Sequence, residues 1–262
     1  MNQSVRLTDS HCHLLSIVKK GGDIAQVWAE FLAAGGTWLL DVGIREDDVD
    51  ERIALTSLGP QLRFSCGVHP SETADLPNWD RLVSRFQNPL CVAVGEIGLD
   101  WYRGRETESQ QLQNFITQLE IAEQVGRPVI LHVREAMKEV LTELKRHPRV
   151  QGVFHCFSGT PEDAQEALNL GFALSFAGNL TYKSSETLRQ ALKIVPRESV
   201  LFETDAPYLS PVPVRGQRNE PHNVRHTINF ASEILKIDPA ELCDQTTQNF
   251  EKLFAPVLIA GE

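Results

Sequence analysis

The sequence has no apolar run approaching the roughly 18 residues that a helix needs to cross a bilayer, which excludes a helical membrane protein. Its opening, Met1-Asn2-Gln3-Ser4, lacks both a basic segment and an apolar one, so no secretory signal is expected there. Cysteine is scarce and unpatterned. Cys12, Cys66, Cys91, Cys156 and Cys243 are odd in number and never fall as Cys-x-x-Cys, which argues for free thiols in a reducing, cytoplasmic compartment. No long linker or composition shift marks a second domain, so one unit over residues 1–262 is the expectation. Positive charge is in short supply: 25 Lys and Arg against 35 Asp and Glu leave a net charge of −10. Such a chain does not attract polyanions over its whole surface. A phosphate-rich partner would have to be met by a metal centre or a local arginine cluster.

What is present is a strand followed by a helix, many times over. Candidate strands are Val5–Asp9, Trp38–Val42, Leu62–Val68, Leu90–Glu96, Val129–Val133, Gly152–Cys156, Phe172–Phe176 and Val200–Thr204. Several are near-continuous apolar runs, as parallel strands covered on both faces require. Between them Leu112, Phe115, Ile116, Leu119 and Ala122 recur at helical spacing, with Gly126 to close that helix and Pro128 to prevent its continuation. Thr160-Pro161-Glu162-Asp163 reads as an N-cap with proline at the first helical position, and Gly171 stands at the far end. Asp238-Pro239-Ala240-Glu241 begins the last helix in the same way, with Glu241 placed to reach back to the cap. Eight such units in this length predict a single-domain (β/α)₈ barrel of the TIM type. The alternative is an open doubly wound sheet, but no glycine-rich phosphate loop follows the first strand.

A barrel of this kind carries its active site at the carboxyl ends of the strands. The first strand ends in His11 and His13, the third in His69, the fourth in Glu96 and Asp100, the fifth in His132 and Arg134, the sixth in His155, and the eighth in Glu203 and Asp205. Of eight histidines only His147, His222 and His226 lie elsewhere. Side chains two apart on a strand face the same way, so His11 and His13 point together. Neutral imidazole offers a lone pair near pH 7 and is the commonest metal ligand. His11, His13, His132 and His155 with Glu96 and Asp205 exceed the three or so protein ligands that one catalytic ion takes. Two divalent cations about 3.5–4 Å apart, sharing a carboxylate, would consume the set, and hydrolysis is the reaction that suits them.

The stretches Asp9-Ser10-His11-Cys12-His13-Leu14, Gly67-Val68-His69-Pro70, Val94-Gly95-Glu96-Ile97-Gly98-Leu99-Asp100, Pro128 to Arg134, Phe154-His155-Cys156-Phe157-Ser158-Gly159, Glu203-Thr204-Asp205-Ala206-Pro207-Tyr208-Leu209 and Arg215-Gly216-Gln217-Arg218-Asn219-Glu220-Pro221 resemble, in this order, the TatD-type metal-dependent deoxyribonucleases. That resemblance covers essentially the whole chain. It implies a barrel hydrolase that cleaves phosphodiester bonds in DNA, at ends or single strands, with two divalent cations. It implies that His11, His13 and Asp205 hold one ion, that His132 and His155 hold the second, and that Glu96 bridges. Asp205 would also orient or deprotonate the attacking water, which makes Asp205 and Glu96 the catalytic carboxylates. Where many members carry a second histidine after the His-Pro of the third strand, this chain has Ser71. The ion is zinc, manganese, nickel or iron by ligand type, or magnesium by availability.

His69, Arg103, Arg134, Arg215 and Arg218 are the candidate substrate contacts, since guanidinium groups suit bidentate phosphate binding. Arg105 belongs to the same group; for each arginine the other reading is a solvated surface charge paired with a nearby acid. Trp101-Tyr102 and Tyr182 either stack on a base or pack over the barrel rim. Cys12 and Cys156 adjoin ligands, but pleat alternation turns both away, so they read as packing. Glu203 reads as structural, with support of a ligand as the alternative. A rival function is an amidohydrolase-type enzyme acting on a small amide, lactone or phosphate ester. Many binuclear members of that group bridge their ions with a carboxylated lysine on the fourth strand, and no lysine lies between Leu90 and Asp100. A non-catalytic, partner-binding protein is the third reading.

Overall fold

The computed structural model describes residues 6–73 and 77–258. Eight parallel strands run in sequence order around one sheet: β1 Leu7–Cys12, β2 Gly36–Asp41, β3 Leu62–Cys66, β4 Cys91–Asp100, β5 Val129–Arg134, β6 Gly152–Phe154, β7 Ala173–Phe176 and β8 Val200–Phe202. Helices fill the connections, giving a (β/α)₈ barrel rather than an open sheet. The barrel closes where the chain after β8 meets β1: the Asp205 N–H donates to His11 O at 2.9 Å and the His13 N–H to Ala206 O at 2.7 Å.

Strand ends depart from the pattern-based boundaries for identifiable reasons. Val5 lies outside the described residues. β1 continues past Asp9 to Cys12, because its far end is paired with the segment after β8; His11 is therefore within the strand, and His13 caps the helix Leu14–Lys19. β6 and β8 stop early. Beyond them Cys156 (φ 42°) and Asp205 (φ 54°) adopt left-handed backbone, which no strand accommodates. β4 runs on to Asp100 alongside β5, pairing Gly98 with His132, and only glycine fits there: φ is +139° and an added Cβ would strike the His132 carbonyl.

Helix punctuation follows the sequence with one exception. Glu108–Val125 ends at left-handed Gly126, and Pro161–Asn169 begins with a capping box between Thr160 and Asp163. Asp238 Oδ1 accepts from the Ala240 and Glu241 N–H groups at the start of Pro239–Leu258. Glu241 does not reach back; it pairs with Arg197 at 2.7 Å, a cation that outcompetes the cap N–H for its carboxylate.

Apolar and polar chemistry are divided along the barrel axis. Leu40, Ile130, Val153 and Leu201 form one buried cluster with Phe250 and Phe254 of the last helix, which plugs the amino end. Two residues further on come His132 after Ile130 within β5 and, just past the ends of β6 and β8, His155 after Val153 and Glu203 after Leu201. The same inward face that packs the bottom thus delivers imidazole and carboxylate to the top. Among the described residues, no helix is long and apolar enough to cross a membrane.

Candidate metal centre

At the carboxyl end the structure brings His11, His13, Glu96, His132, His155 and Asp205 into one cluster, together with His69. His11, Glu96 and His155 are buried, and the cavity above them has a volume of about 600 Å³. The Nε2 atoms of His11 and His13 stand 3.2 Å apart, and Asp205 Oδ1 lies 3.9 and 3.4 Å from them. Glu96 divides its carboxylate. Oε2 is 3.5 Å from His11 Nε2 and 3.6 Å from His13 Nε2, while Oε1 is 2.8 Å from both His132 Nδ1 and His155 Nε2. Two ligands at 2.0–2.1 Å from one ion, at tetrahedral angles, stand about 3.4 Å apart, so the wider separations suit donors that could share an ion, while the two contacts of Oε1 are at hydrogen-bond distance.

For His13, His132 and His155 the partner of the outer nitrogen settles which nitrogen carries the lone pair once the ring is neutral. His13 Nδ1 faces the Val42 carbonyl at 3.0 Å; a carbonyl only accepts, so the proton is on Nδ1 and Nε2 is free to ligate. His132 Nε2 faces Asp100 Oδ2 at 3.3 Å, and His155 Nδ1 faces Glu203 Oε1 at 3.1 Å, with the same consequence at their inner atoms. His11 is stacked on His155, with ring centroids 3.9 Å apart, and its buried Nδ1 has no partner. His69 is different. Its Nδ1 accepts from the Ser71 N–H at 3.0 Å, so its proton sits on Nε2, which points at Glu96 Oε1 from 3.5 Å. His69, Glu96 and His132 are close enough to form a third ligand group, but His69 enters the site as a hydrogen-bond donor. Ser71 is what orients it.

The charges agree with this wiring. Burial would raise the Glu96 carboxyl, yet His155 and His69, with hydrogen bonds from His11 and His132, hold it well below the usual carboxylate range. Burial opposes charge on His155 as well, but Glu96 and Glu203 drive it well above its ordinary value. Against the same burial, Asp205 lifts His13, and Asp100 with Glu96 lifts His132. His13 in turn keeps Asp205 low despite burial. Burial and the neighbouring His155 lower His11, and burial lowers His69. Without a cation the cluster is a set of carboxylates sharing protons with imidazoles, which divalent ions displace.

Several positioning residues are not among the candidates read from the sequence. Asp9 Oδ1 accepts from the Thr204 N–H at 2.9 Å, fixing the turn that delivers Asp205. Arg52, 2% exposed, bonds Asp41 and Asp48, and Asp41 Oδ1 takes the Leu14 N–H at 2.8 Å beside His13. From the helix Glu108–Val125, Gln118 clasps both backbone groups of Val68, next to His69, and Gln111 accepts from the Asp100 N–H. Polar Gln111, Asn114 and Gln118 at helical spacing among apolar neighbours are the trace of this in the sequence. Asn219 Nδ2 donates to Thr204 O and Tyr208 O, ordering the last loop.

The remaining candidates separate cleanly. Arg103 and Arg134 line the cavity. Arg215 lies over the Tyr182 ring, 3.9 Å from its centroid. Arg218 pairs with Glu220 at 2.8 Å and Arg105 with Glu108 at 3.2 Å, the solvated-surface alternative for both. Trp101 packs against the core, whereas Tyr102 is 59% exposed. Cys12 is buried, as packing requires. Cys156 is not turned away: the pleat has ended at Phe154, and its left-handed backbone aims it into the cavity wall. Glu203 does more than pack, since it fixes His155.

The family model described as TatD-related DNase matches residues 8–255. YcfH of Escherichia coli K12, named as an uncharacterized metal-dependent hydrolase, is 36% identical over 252 residues, covering 95% of each chain. YabD of Bacillus subtilis strain 168, with the same description, is 30% identical over 254 residues, covering 95% of this chain and 98% of its own. The crystal structure of YjjV, a TatD homolog from Escherichia coli K12, superposes with a TM-score of 0.85 at 26% identity, covering 97% of this chain and 99% of that one. A match that runs from Thr8 to Ala255, on a barrel whose rim holds this cluster, makes the chain a member of the TatD-related DNase family.

Proposed function

We propose that the chain is a metal-dependent hydrolase that cleaves phosphodiester bonds in DNA, at free ends or single strands, with two divalent cations at the barrel mouth. The observation that carries this reading is the divided carboxylate of Glu96, one oxygen toward the His11–His13 pair and the other toward the His132–His155 pair. His11, His13 and Asp205 would hold one ion, His132 and His155 the other, and Glu96 both. Glu96, a carboxylate native to β4, would serve where many binuclear amidohydrolase-type barrels use a carboxylated lysine. The imidazole-rich set favours zinc, manganese, nickel or iron over magnesium. Bound ions of this kind lower the pKa of water and neutralise charge that develops on a phosphoryl group.

The chain's own groups supply the rest. Asp205, held as a carboxylate by His13 and lining the cavity, orients a water molecule and takes its proton. The Nε2–H of His69 donates to a non-bridging phosphate oxygen, where a fixed donor counts most as negative charge builds. Arg103 and Arg134 hold flanking phosphates and give an acidic protein its local positive field.

The test is release of nucleotides from an end-labelled oligonucleotide by metal-loaded protein, abolished by EDTA, restored by the ion, and lost in Asp205→Asn. Elemental analysis should find two ions per chain. Loaded protein that leaves oligonucleotides intact while opening lactones or cyclic amides would overturn the nuclease reading.

A further inference from the structure

The chain has three tyrosines, and all three stand at the same end of the barrel. Tyr102 follows β4, Tyr182 follows β7, and Tyr208 follows β8. Each has a cation over its ring: Arg134 lies 3.7 Å from the Tyr102 centroid, Arg215 3.9 Å from that of Tyr182, and Lys20 4.0 Å from that of Tyr208. Tyr102 and Tyr208 are among the exposed large hydrophobic residues, at 59% and 44%. Tyr182 is half-buried, its hydroxyl donating to Ser210 O at 3.0 Å, so it serves as a fixed rest for Arg215. Tyr208 reaches the metal centre itself, its ring centroid 6.3 Å from that of His13.

Arg45, Arg52, Arg105, Arg149, Arg189, Arg197 and Arg218 all pair with carboxylates. Among the described residues, Lys20, Arg103, Arg134 and Arg215 have no carboxylate within 4.0 Å, and neither do Arg63, Arg127 and Arg225; what sets the four apart is that they gather at one rim, three of them over tyrosine rings. In a protein of net charge −10, four unpaired cations at one rim, three of them resting on aromatic faces, form a surface for a ligand that alternates negative charge with flat π-systems. An unpaired polynucleotide strand has that repeat; a lone phosphate ester has only one unit of it, and duplex DNA keeps its base faces covered.

We propose that the Tyr102–Arg134 and Tyr208–Lys20 pairs are nucleotide subsites flanking the metal centre, and that Arg215, propped on Tyr182, holds a further phosphate of the same single strand. The exposed tyrosine face stacks on a base, and the cation beside it meets the adjoining phosphate. This rests on the phosphodiesterase reading above and names the form of polymer that site accepts.

The experiment compares metal-loaded wild type with Tyr102→Leu, Tyr208→Leu, Tyr102→Phe and Tyr208→Phe. The substrates are a short single-stranded oligonucleotide, the same strand in a blunt duplex, and bis(p-nitrophenyl) phosphate. Binding of the labelled strand is followed in parallel by fluorescence anisotropy in EDTA. Each leucine variant should weaken single-strand binding about 5- to 100-fold, the worth of one lost stack, and raise KM on the strand far more than on the small diester. The phenylalanine variants should restore both. Wild type should prefer the single strand to the duplex. If wild type cleaves the strand but the leucine variants keep its KM and affinity, the subsites do not exist and the phosphodiesterase reading stands. If wild type cleaves neither the strand nor the diester, that reading falls, and anisotropy still decides the rim: no binding, or binding indifferent to the leucine changes, overturns it.

Discussion

Glu203 Oε1 lies 3.1 Å from His155 Nδ1 and also accepts the Cys156 N–H at 2.8 Å. One buried carboxylate therefore sets both the tautomer of His155 and the turn that carries it. Support of this kind at a metal ligand is worth about 10- to 100-fold in ion affinity. Glu203→Ala should weaken one of the two ions by that factor in a competition titration with a chromophoric chelator. Glu203→Gln, which keeps an acceptor oxygen, should lose less. Equal loss of both ions in both variants would mean that Glu203 only packs.

His69 should behave as a donor and not as a ligand. His69→Ala is expected to keep the full ion content by elemental analysis while kcat/KM on an oligonucleotide drops by about 10²- to 10³-fold, the usual loss for one fixed donor to a developing oxyanion. Ser71→Pro removes the N–H that fixes the tautomer and should reproduce part of that loss. An ion count that falls in His69→Ala would make it a third-group ligand after all.

Metal binding and pH are linked with a definite sign. His13, His132 and His155 titrate above their ordinary value in the cation-free fold. Their stabilising contribution is complete below the unfolded value of about 6.5 and fades as pH rises through the folded one. Glu96 and Asp205 are lowered and contribute above the ordinary carboxylate range, fading only in acid. Ions must displace the imidazole protons, so the rise in Tm that they produce should grow between about pH 6 and 8. Scanning calorimetry with and without EDTA across that interval checks it. A constant or shrinking ion effect would show that these rings carry no protons to displace.

Two buried residues should separate stability from the site. Phe250→Ala empties the plug at the amino end and should cost about 3–5 kcal/mol in urea unfolding, with ion binding retained. Arg52→Ala strands Asp41 and Asp48 without their cation and should cost a similar 3–5 kcal/mol. Because Asp41 also holds the Leu14 N–H beside His13, Arg52→Ala should loosen one ion as well. Chelator competition on both variants makes the distinction; parallel ion loss in Phe250→Ala would mean that the two ends of the barrel are coupled.

Strand order and the identity of the converging side chains were legible in the chain itself. Parallel strands covered on both faces spell themselves as apolar runs, and glycine and proline punctuate the helices between them. A residue's parity along a strand then says which face it shares. Reading fails where the pleat stops: Cys156 has left-handed backbone and enters the cavity, against the alternation that turned it away. β4 likewise outran its apolar run, because its last residues are held by β5 and not by their own composition.

Sequence alone therefore determined which eight strands form, and that imidazoles and carboxylates crown them, since both follow from local patterning and fold topology. Only the tertiary structure decided how Glu96 splits its oxygens, which nitrogen of His69 bears the proton, and which arginines escape a carboxylate. Those are contacts between segments far apart in the chain. Their distances and directions arise only when the barrel has closed.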